Sequence, residues 1–444
     1  MGREGAQVLS FGKKGGGVGS IGMPRIAKPE EQVLPNGTPL FVINSGFYDA
    51  LRIDIVVGAG VWEQDKLLQA LFTNRMLREG TCRLSSSVLA EKLDYYGAWL
   101  ELSVSVHHSF ITLYTLSRFV GETCSLLCEM LAEPLFPEEW FEVIRTNNLQ
   151  QYRVSRQRGD VTARRLLYAS VYGAEHPCGR FAEEKDFLAI TCDDLRDFYR
   201  KHYHSSNCFL CLSGKVTDEV LRVVADCFGK AWGSQAPLSM LPSKTFPEPL
   251  TVRELHRRGE KPVLLEETRP HLAQASLRIG GLMMRASSAD YYGMRVLCTL
   301  LGGYFGSRLM KRVREEKGYT YGISADLITN TGQTLFIISS ETTAGKEHEV
   351  VDDVRIEMER LARELVPETE LTMVRNYMLG ELCRNYEGAF ALADACIYLQ
   401  TLHLPKNHIQ KTVNAIAGIG AEELRELARK WLTFENMQTV VVKP

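Results

Sequence analysis

Histidine and cysteine are the side chains of this sequence best suited to bind a catalytic metal, because zinc prefers imidazole nitrogen, thiolate sulfur and carboxylate oxygen. None of the ten histidines pairs with another at H-x-x-x-H spacing, the spacing that places two imidazoles on one helix face. One alternative site would use histidines at strand ends and helix tails, where side chains are usually solvated: His107, His108, His202 and His204. No metal site is predicted from the histidines alone.

Two short motifs could be mistaken for functional sites. Cys208 and Cys211 have the C-x-x-C spacing, but they lie in the strand-like run CFLCLSG, where side chains three apart point to opposite faces. Gly17, Gly19 and Gly22 satisfy G-x-G-x-x-G, yet no strand precedes them and two prolines follow. Neither motif predicts a redox, metal or dinucleotide site.

Length and composition exclude several classes of protein. The chain of 444 residues, 45% apolar and 24% charged, is long enough for two or three globular domains. Its 52 Lys and Arg against 54 Asp and Glu give a net charge of −2, which favours neither nucleic acid nor an anionic membrane as a partner. The sequence has no apolar run long enough to span a membrane and no signal peptide, so we expect a cytoplasmic protein.

An internal duplication organises the chain. The segment 190–207 aligns without gaps on the segment 419–436, at one constant offset. Leucine, arginine and asparagine recur at matching positions, for example Leu195 on Leu424 and Asn207 on Asn436. In both copies a helix with an acidic start and a basic end precedes an apolar strand, which predicts a tandem repeat.

The expected fold is α+β in both halves, with helices packed on a mostly antiparallel sheet. The alternating run LELSVSV predicts a half-exposed strand, and the apolar run FITLYTL follows it at hairpin distance. A segment rich in proline separates the halves. The predicted organisation is a flexible arm, a first domain, a linker and a second domain: 1–30, 31–233, 234–260 and 261–444.

The helical segment LLQALFTNRMLREGT, 67–81, resembles the first helix of the M16 metallopeptidase family, the insulinase, pitrilysin and mitochondrial processing peptidase group. In that family this helix carries an inverted zinc motif, H-x-x-E-H. Here the two histidine positions hold Leu71 and Arg75, and the glutamate position holds Asn74. The family's third ligand, a later glutamate, corresponds to Gln151. The resemblance therefore implies a degenerate site with no zinc of its own.

The second half keeps more of the family pattern, in the stretch LLGGYFGSRLMKRVREEKGYTYGISADL, 300–327. Arg314 and Tyr321 match an arginine and a tyrosine that, in the family, bind substrate backbone and help to stabilise an oxyanion. A structural alternative pairs Arg314 with a nearby glutamate on a helix surface and half-buries Tyr321 in a strand. Further resemblances, at His176 and Gln274, support the fold rather than the chemistry.

Three functions are consistent with this resemblance. The first is a non-catalytic, peptide-binding subunit that pairs with a zinc-bearing M16 homologue and lends Arg314 and Tyr321 to a composite proteolytic site. The second is a structural or peptide-holding protein of the same fold without a proteolytic partner. The third is a stand-alone metalloendopeptidase, which would need another metal site. Zinc is expected on a partner subunit, and the chain is expected to form a heterodimer or to self-associate.

Overall fold

The computed structural model describes residues 28–46, 48–230, 232, 244–245, 248–258 and 264–444. The predicted N-terminal arm lies almost entirely outside the described residues, as do the G-x-G-x-x-G glycines and most of the predicted linker.

Six strands of the first half form one mixed sheet. They are β1 Glu30–Val33, β2 Pro39–Asn44, β3 Ala50–Val57, β4 Trp99–Val104, β5 Ser109–Leu116 and β6 Cys208–Gly214. Their order is β1-β2-β6-β3-β5-β4, with the pair β2 and β6 parallel and the other pairs antiparallel. The central strands β3 and β6 are almost wholly buried, whereas the edge strand β4 alternates between exposed and half-buried residues. Both predicted hairpin strands are confirmed.

Eight α-helices accompany this sheet in the described part of the first half. They are α1 Gln69–Met76, α2 Ser86–Tyr95, α3 Val120–Ala132, α4 Glu138–Ser155, α5 Gly159–Tyr172, α6 Glu184–Ala189, α7 Cys192–His202 and α8 Asp218–Phe228. The helix α7 begins with a capping box between Thr191 and Asp194 and ends on basic residues, which suits the helix dipole.

The second half repeats this plan on a sheet of five strands. The strands are β7 Leu264–Thr268, β8 Gln274–Leu282, β9 Thr320–Thr329, β10 Thr334–Thr343 and β11 Gln438–Lys443, in the order β7-β11-β8-β10-β9. The helices are α9 Val252–Arg258, α10 Ala289–Cys298, α11 Glu347–Arg363, α12 Glu368–Asn385, α13 Ala389–Thr401, α14 His408–Gly418 and α15 Ala421–Trp431. Helices and sheets in both halves confirm the predicted α+β class, and the aligned segments fold alike, as α7 and as α15.

Two details were not predicted from the sequence. Gly302 and Gly303 end a π-helical stretch, Thr299–Gly303, that continues α10. The helix α9 lies inside the predicted linker, and its Val252 is buried in the core of the second half. An apolar side chain in a nominal linker can join a neighbouring core because burial, not position in the chain, stabilises it.

The two halves exchange one helix each. The helix α5 of the first half packs Ala163, Leu167 and Tyr172 on the outer face of the second sheet. In return, α13 of the second half packs Leu392 and Ile397 on the outer face of the first sheet. Both sheets therefore have helices on both faces, and these apolar faces are covered within the chain.

Polar contacts reinforce this exchange. Arg52 on β3 is 8% exposed and lies 2.9 Å from Asp54 and 2.7 Å from Asp394 of α13. It also donates to the carbonyl of Phe390 at 3.3 Å. A buried guanidinium with two carboxylates is costly to leave unpaired, so this contact disfavours separation of the halves.

The start of α5 needs a residue without a side chain. A Cβ at Gly159 would lie 2.6 Å from the hydroxyl of Ser276 and 3.0 Å from Leu272, and the Ser276 hydroxyl is itself held by Glu341. We expect Gly159→Ala to lower the free energy of unfolding by about 1–3 kcal/mol, measured by urea denaturation. The matched control is Gly121→Ala in α3, where nothing lies within 4 Å and the gain in helix propensity is about 0.5–1 kcal/mol. Equal effects of the two changes would contradict the close approach of α5 to β8.

Candidate functional site

The degenerate zinc motif lies on α1, whose eight residues pack against α4 and α7. Leu71 is partly buried and packs on the core of the first half. Asn74 is fully buried and donates a hydrogen bond of 3.4 Å to the carbonyl of Phe110. Arg75 is half-buried and donates to the Oδ1 atom of Asn148 on α4. The three motif positions thus hold an alkyl group, an amide and a cation.

The third ligand position is also without a metal donor. Gln151 is exposed on α4, one turn beyond Asn148 and therefore on the same helix face. Sequence reasoning missed Asn148, although its spacing from Gln151 could have indicated it.

Zinc does not fit this set of side chains. Burial and the neighbouring Arg78 lower the pKa of Arg75 from its ordinary value, but an arginine side chain stays charged and donates only hydrogen bonds. The permanent positive charge of Arg75, whose hydrogen-bond partner Asn148 is a neutral amide, would repel a zinc ion. Throughout the described ranges, no three His, Cys, Asp or Glu side chains are grouped so that they could hold a metal ion.

The histidines considered as an alternative site are not solvated, contrary to the expectation. His108, His202 and His204 are 3–5% exposed, and His107 donates to or accepts from Thr331 at 2.6 Å. Burial lowers the pKa of His107 and His202 to about 4 and that of His108 to about 3. These rings are neutral near pH 7 and serve as packed core residues.

These low pKa values predict acid sensitivity. Between pH 6.5 and about 4 the unfolded chain binds protons that the folded chain does not, so the free energy of unfolding falls as the pH falls. Each buried histidine contributes up to about 1.4 kcal/mol per pH unit over that interval. We expect urea midpoints to decrease from pH 7 to pH 4.5, and His202→Gln to reduce the slope. A stability unchanged over this interval would contradict the burial of neutral imidazoles.

The C-x-x-C cysteines lie as predicted, on opposite faces of β6. Cys208 belongs to the core of the first half, whereas Cys211 packs under α13 on the other face. Asn207 precedes this strand and donates to the carbonyl oxygens of Gly58 and His202 at 3.0 and 2.9 Å, which is a structural role.

Arg314 and Tyr321 both lie in the second half, Arg314 half-buried and Tyr321 exposed. Arg314 is in the π-helical segment Met310–Glu316, and its guanidinium stacks over the ring of Phe305 at 4.5 Å. In the part of the chain that the structure describes, no carboxylate lies within ion-pair distance of Arg314. Tyr321, at the start of β9, is 89% exposed. The structural alternative, an ion pair for Arg314 and a half-buried Tyr321, does not describe this geometry.

Ion pairs of neighbouring cations, here called the clamp, fix the segment that carries Arg314. Arg308 makes a bidentate ion pair with Glu370 of α12, at 2.9 and 2.8 Å. Arg312 and Lys317 both contact the Asp353 carboxylate of α11 at 2.7 Å, and that carboxylate is 1% exposed. Ion pairs therefore hold both ends of the π-helical turn, and the Arg314 guanidinium within it stacks on Phe305.

The chain is thus a duplicated α+β protein. The metal motif of its first half lacks zinc ligands, and its second half carries Arg314 and the exposed Tyr321. The domain described as "Peptidase M16 inactive domain" matches residues 189–378. "Uncharacterized zinc protease YmxG" of Bacillus subtilis is 21% identical over 419 residues, covering 92% of this chain and 97% of that protein. "Non-peptidase homolog YmxG" of Helicobacter pylori is 23% identical over 393 residues, covering 87% of this chain and 86% of that one.

A solved structure shows the same fold. The peptidase M16 inactive domain from Pseudomonas fluorescens superposes with a TM-score of 0.82 at 20% identity and covers 94% of this chain and 98% of that chain. These matches confirm the resemblance to the M16 peptidase family: residues 189–378 match its inactive domain, and the relatives include a non-peptidase homologue. No helix in the described ranges is both long and apolar enough to cross a membrane.

Proposed function

We propose that this chain is the non-catalytic, peptide-binding subunit of a two-subunit M16 peptidase. The observation that carries this proposal is the contrast between the two halves. The motif helix carries Leu71 and Arg75 at the ligand positions, whereas in the second half Arg314 has no ion-pair partner among the described residues and Tyr321 is exposed. A guanidinium and a phenol are donors suited to a peptide carbonyl or an oxyanion.

The partner in this proposal is a homologous chain with an intact zinc motif, and the substrate is a peptide enclosed between the two. Zinc would be held by the partner, because the donor set of this chain does not fit it. The predicted cytoplasmic location belongs to the same proposal. A purely structural role is the second candidate; the exposed Tyr321 gives it less support than a buried one would.

The test is reconstitution with a purified M16 homologue that carries H-x-x-E-H. We expect a stable complex by analytical ultracentrifugation, zinc in the complex but not in this chain alone, and peptide hydrolysis only by the pair. A complex without hydrolysis would favour the peptide-holding alternative. Stoichiometric zinc and chelator-sensitive hydrolysis by this chain alone would favour a stand-alone peptidase and overturn the proposal.

A further inference from the structure

The second half contains a cavity of about 520 Å³ between α10, β9, α12 and α13. Ligand pockets commonly have volumes of about 300–1,000 Å³. The polar side chains that line it include Tyr291, Arg295, Asp326, Glu381, Tyr398 and His408. Neither Arg314 nor Tyr321 lines this cavity.

This cavity is the counterpart, within the duplication, of the degenerate zinc motif. The helix α10 packs on α15 as α1 packs on α7, and YYGMRVL of α10 aligns with LFTNRML of α1. Arg295 then stands where Arg75 stands in the first half. On α12, Glu381 matches Gln151, and Met378 matches Asn148. The amide that holds Arg75 is therefore replaced by a thioether, which accepts hydrogen bonds only weakly.

Two oppositely charged side chains, Arg295 and Asp326, line this cavity but do not form an ion pair with each other. In the described ranges, the one hydrogen bond of the Arg295 guanidinium is a 3.5 Å contact with the hydroxyl of Thr412, and no carboxylate lies within 4.0 Å of it. Asp326 accepts a 2.9 Å hydrogen bond from Ser324 and has no cationic partner among those residues. A half-buried guanidinium without a counter-ion is costly, so it favours an anionic group from outside the chain.

The other walls supply further polar groups. The Tyr291 hydroxyl lies 3.1 Å from that of Thr329 and 3.3 Å from that of Tyr398, so the two phenols are held in place. His408 is 2% exposed and shares a 3.1 Å hydrogen bond with the Tyr292 hydroxyl through Nδ1. Its buried Nε2 atom has no partner in the described structure. An unpartnered buried nitrogen at the cavity wall is a second indication of a missing polar ligand.

The carboxylates that line the cavity differ in whether they already have a cationic partner. Asp394 is already paired with Arg52 at 2.7 Å. Glu381 has only a 3.7 Å contact with Arg384, whose side chain is 75% exposed and therefore weakly held. Asp326 and Glu381 are thus the carboxylates free to receive a cation.

We propose that this cavity binds a short zwitterion, a free amino acid or a short peptide with free termini. Its carboxylate would pair with Arg295 and its ammonium with Asp326 and Glu381. This site lies in the chain alone, so it does not depend on pairing with a zinc-bearing subunit.

The experiment is isothermal titration of the purified full chain with tri-alanine, N-acetylated tri-alanine, tri-alanine amide and free alanine. We expect tri-alanine to bind and each blocked terminus to weaken binding about tenfold or more. Arg295→Gln and Asp326→Asn should each weaken tri-alanine to a similar extent. Arg295→Gln should not further weaken binding of tri-alanine amide, because that peptide has no carboxylate for Arg295 to bind. Asp326→Asn should likewise not further weaken binding of the acetylated peptide, which has no ammonium group.

A control variant tests whether binding depends on the charges of this cavity or on the overall charge of the protein. Arg363→Gln changes an arginine that is 78% exposed on α11, and it should leave tri-alanine binding unchanged. Thermal unfolding confirms that each variant is folded. Free alanine binding as tightly as tri-alanine would support the zwitterion site with an amino acid as its occupant. No binding at millimolar peptide, or binding insensitive to blocked termini and to both substitutions, overturns the proposal.

Discussion

Replacing Arg314 by alanine is expected to lower the turnover of a reconstituted pair about 100-fold, with little change in complex formation. The guanidinium makes no ion pair in the described structure and stacks on Phe305, so its donors remain available to a substrate. Loss of one donor to a developing oxyanion commonly costs about 10²–10³ in kcat. Tyr321→Phe removes a single hydroxyl from a side chain that is 89% exposed and should cost about tenfold without affecting stability.

Steady-state hydrolysis of a fluorogenic peptide by the pair measures both effects. Arg314→Lys keeps the charge but loses the planar fork, so we expect turnover between those of the parent and the alanine variant. Arg363→Ala, at an exposed position on α11, is the control and should leave turnover unchanged. If Arg314→Ala and Tyr321→Phe both leave turnover unchanged, the composite site is wrong and the peptide-holding role gains support.

Replacing Asp353 by alanine is expected to lower the free energy of unfolding by about 3 kcal/mol. Its carboxylate is 1% exposed and contacts Arg312 and Lys317, each at 2.7 Å. Removing one member of a buried ion pair costs about 3–5 kcal/mol, because it leaves the other charge without compensation. The two cations here are 25% and 34% exposed, which places the expected cost at the lower end.

The adjacent residue provides a matched control. Asp352 is on the same helix, is 59% exposed and pairs with Arg355 at 2.6 Å. Exposed pairs contribute about 0–1 kcal/mol, so Asp352→Ala should leave the urea midpoint nearly unchanged. In the reconstituted pair, Asp353→Ala should also reduce turnover, since the clamp orients the segment that carries Arg314. Equal midpoints for the two variants would show that the clamp does not stabilise the fold.

Local patterns were enough to predict much of this fold. Alternation in LELSVSV and the apolar run FITLYTL indicated the hairpin of β4 and β5, because strand residues face opposite sides in turn. The acidic start and basic end of α7 and α15 indicated both the helices and the duplication. Side-chain chemistry alone showed that Leu71 and Arg75 are not zinc ligands.

The tertiary structure decided what depends on contacts between distant parts of the chain. Arg75 meets Asn148 across α1 and α4, and the buried histidines have low pKa values because other elements exclude water from them. The packing of α5 and α13 on the sheet of the opposite half, which no local pattern indicates, covers an apolar face of each sheet. Arg295 and Asp326 line the same cavity only because α10 packs beside β9. Residue type and local spacing determine which elements form and which metal chemistry is impossible, whereas burial and long-range pairing determine which charges remain free to bind.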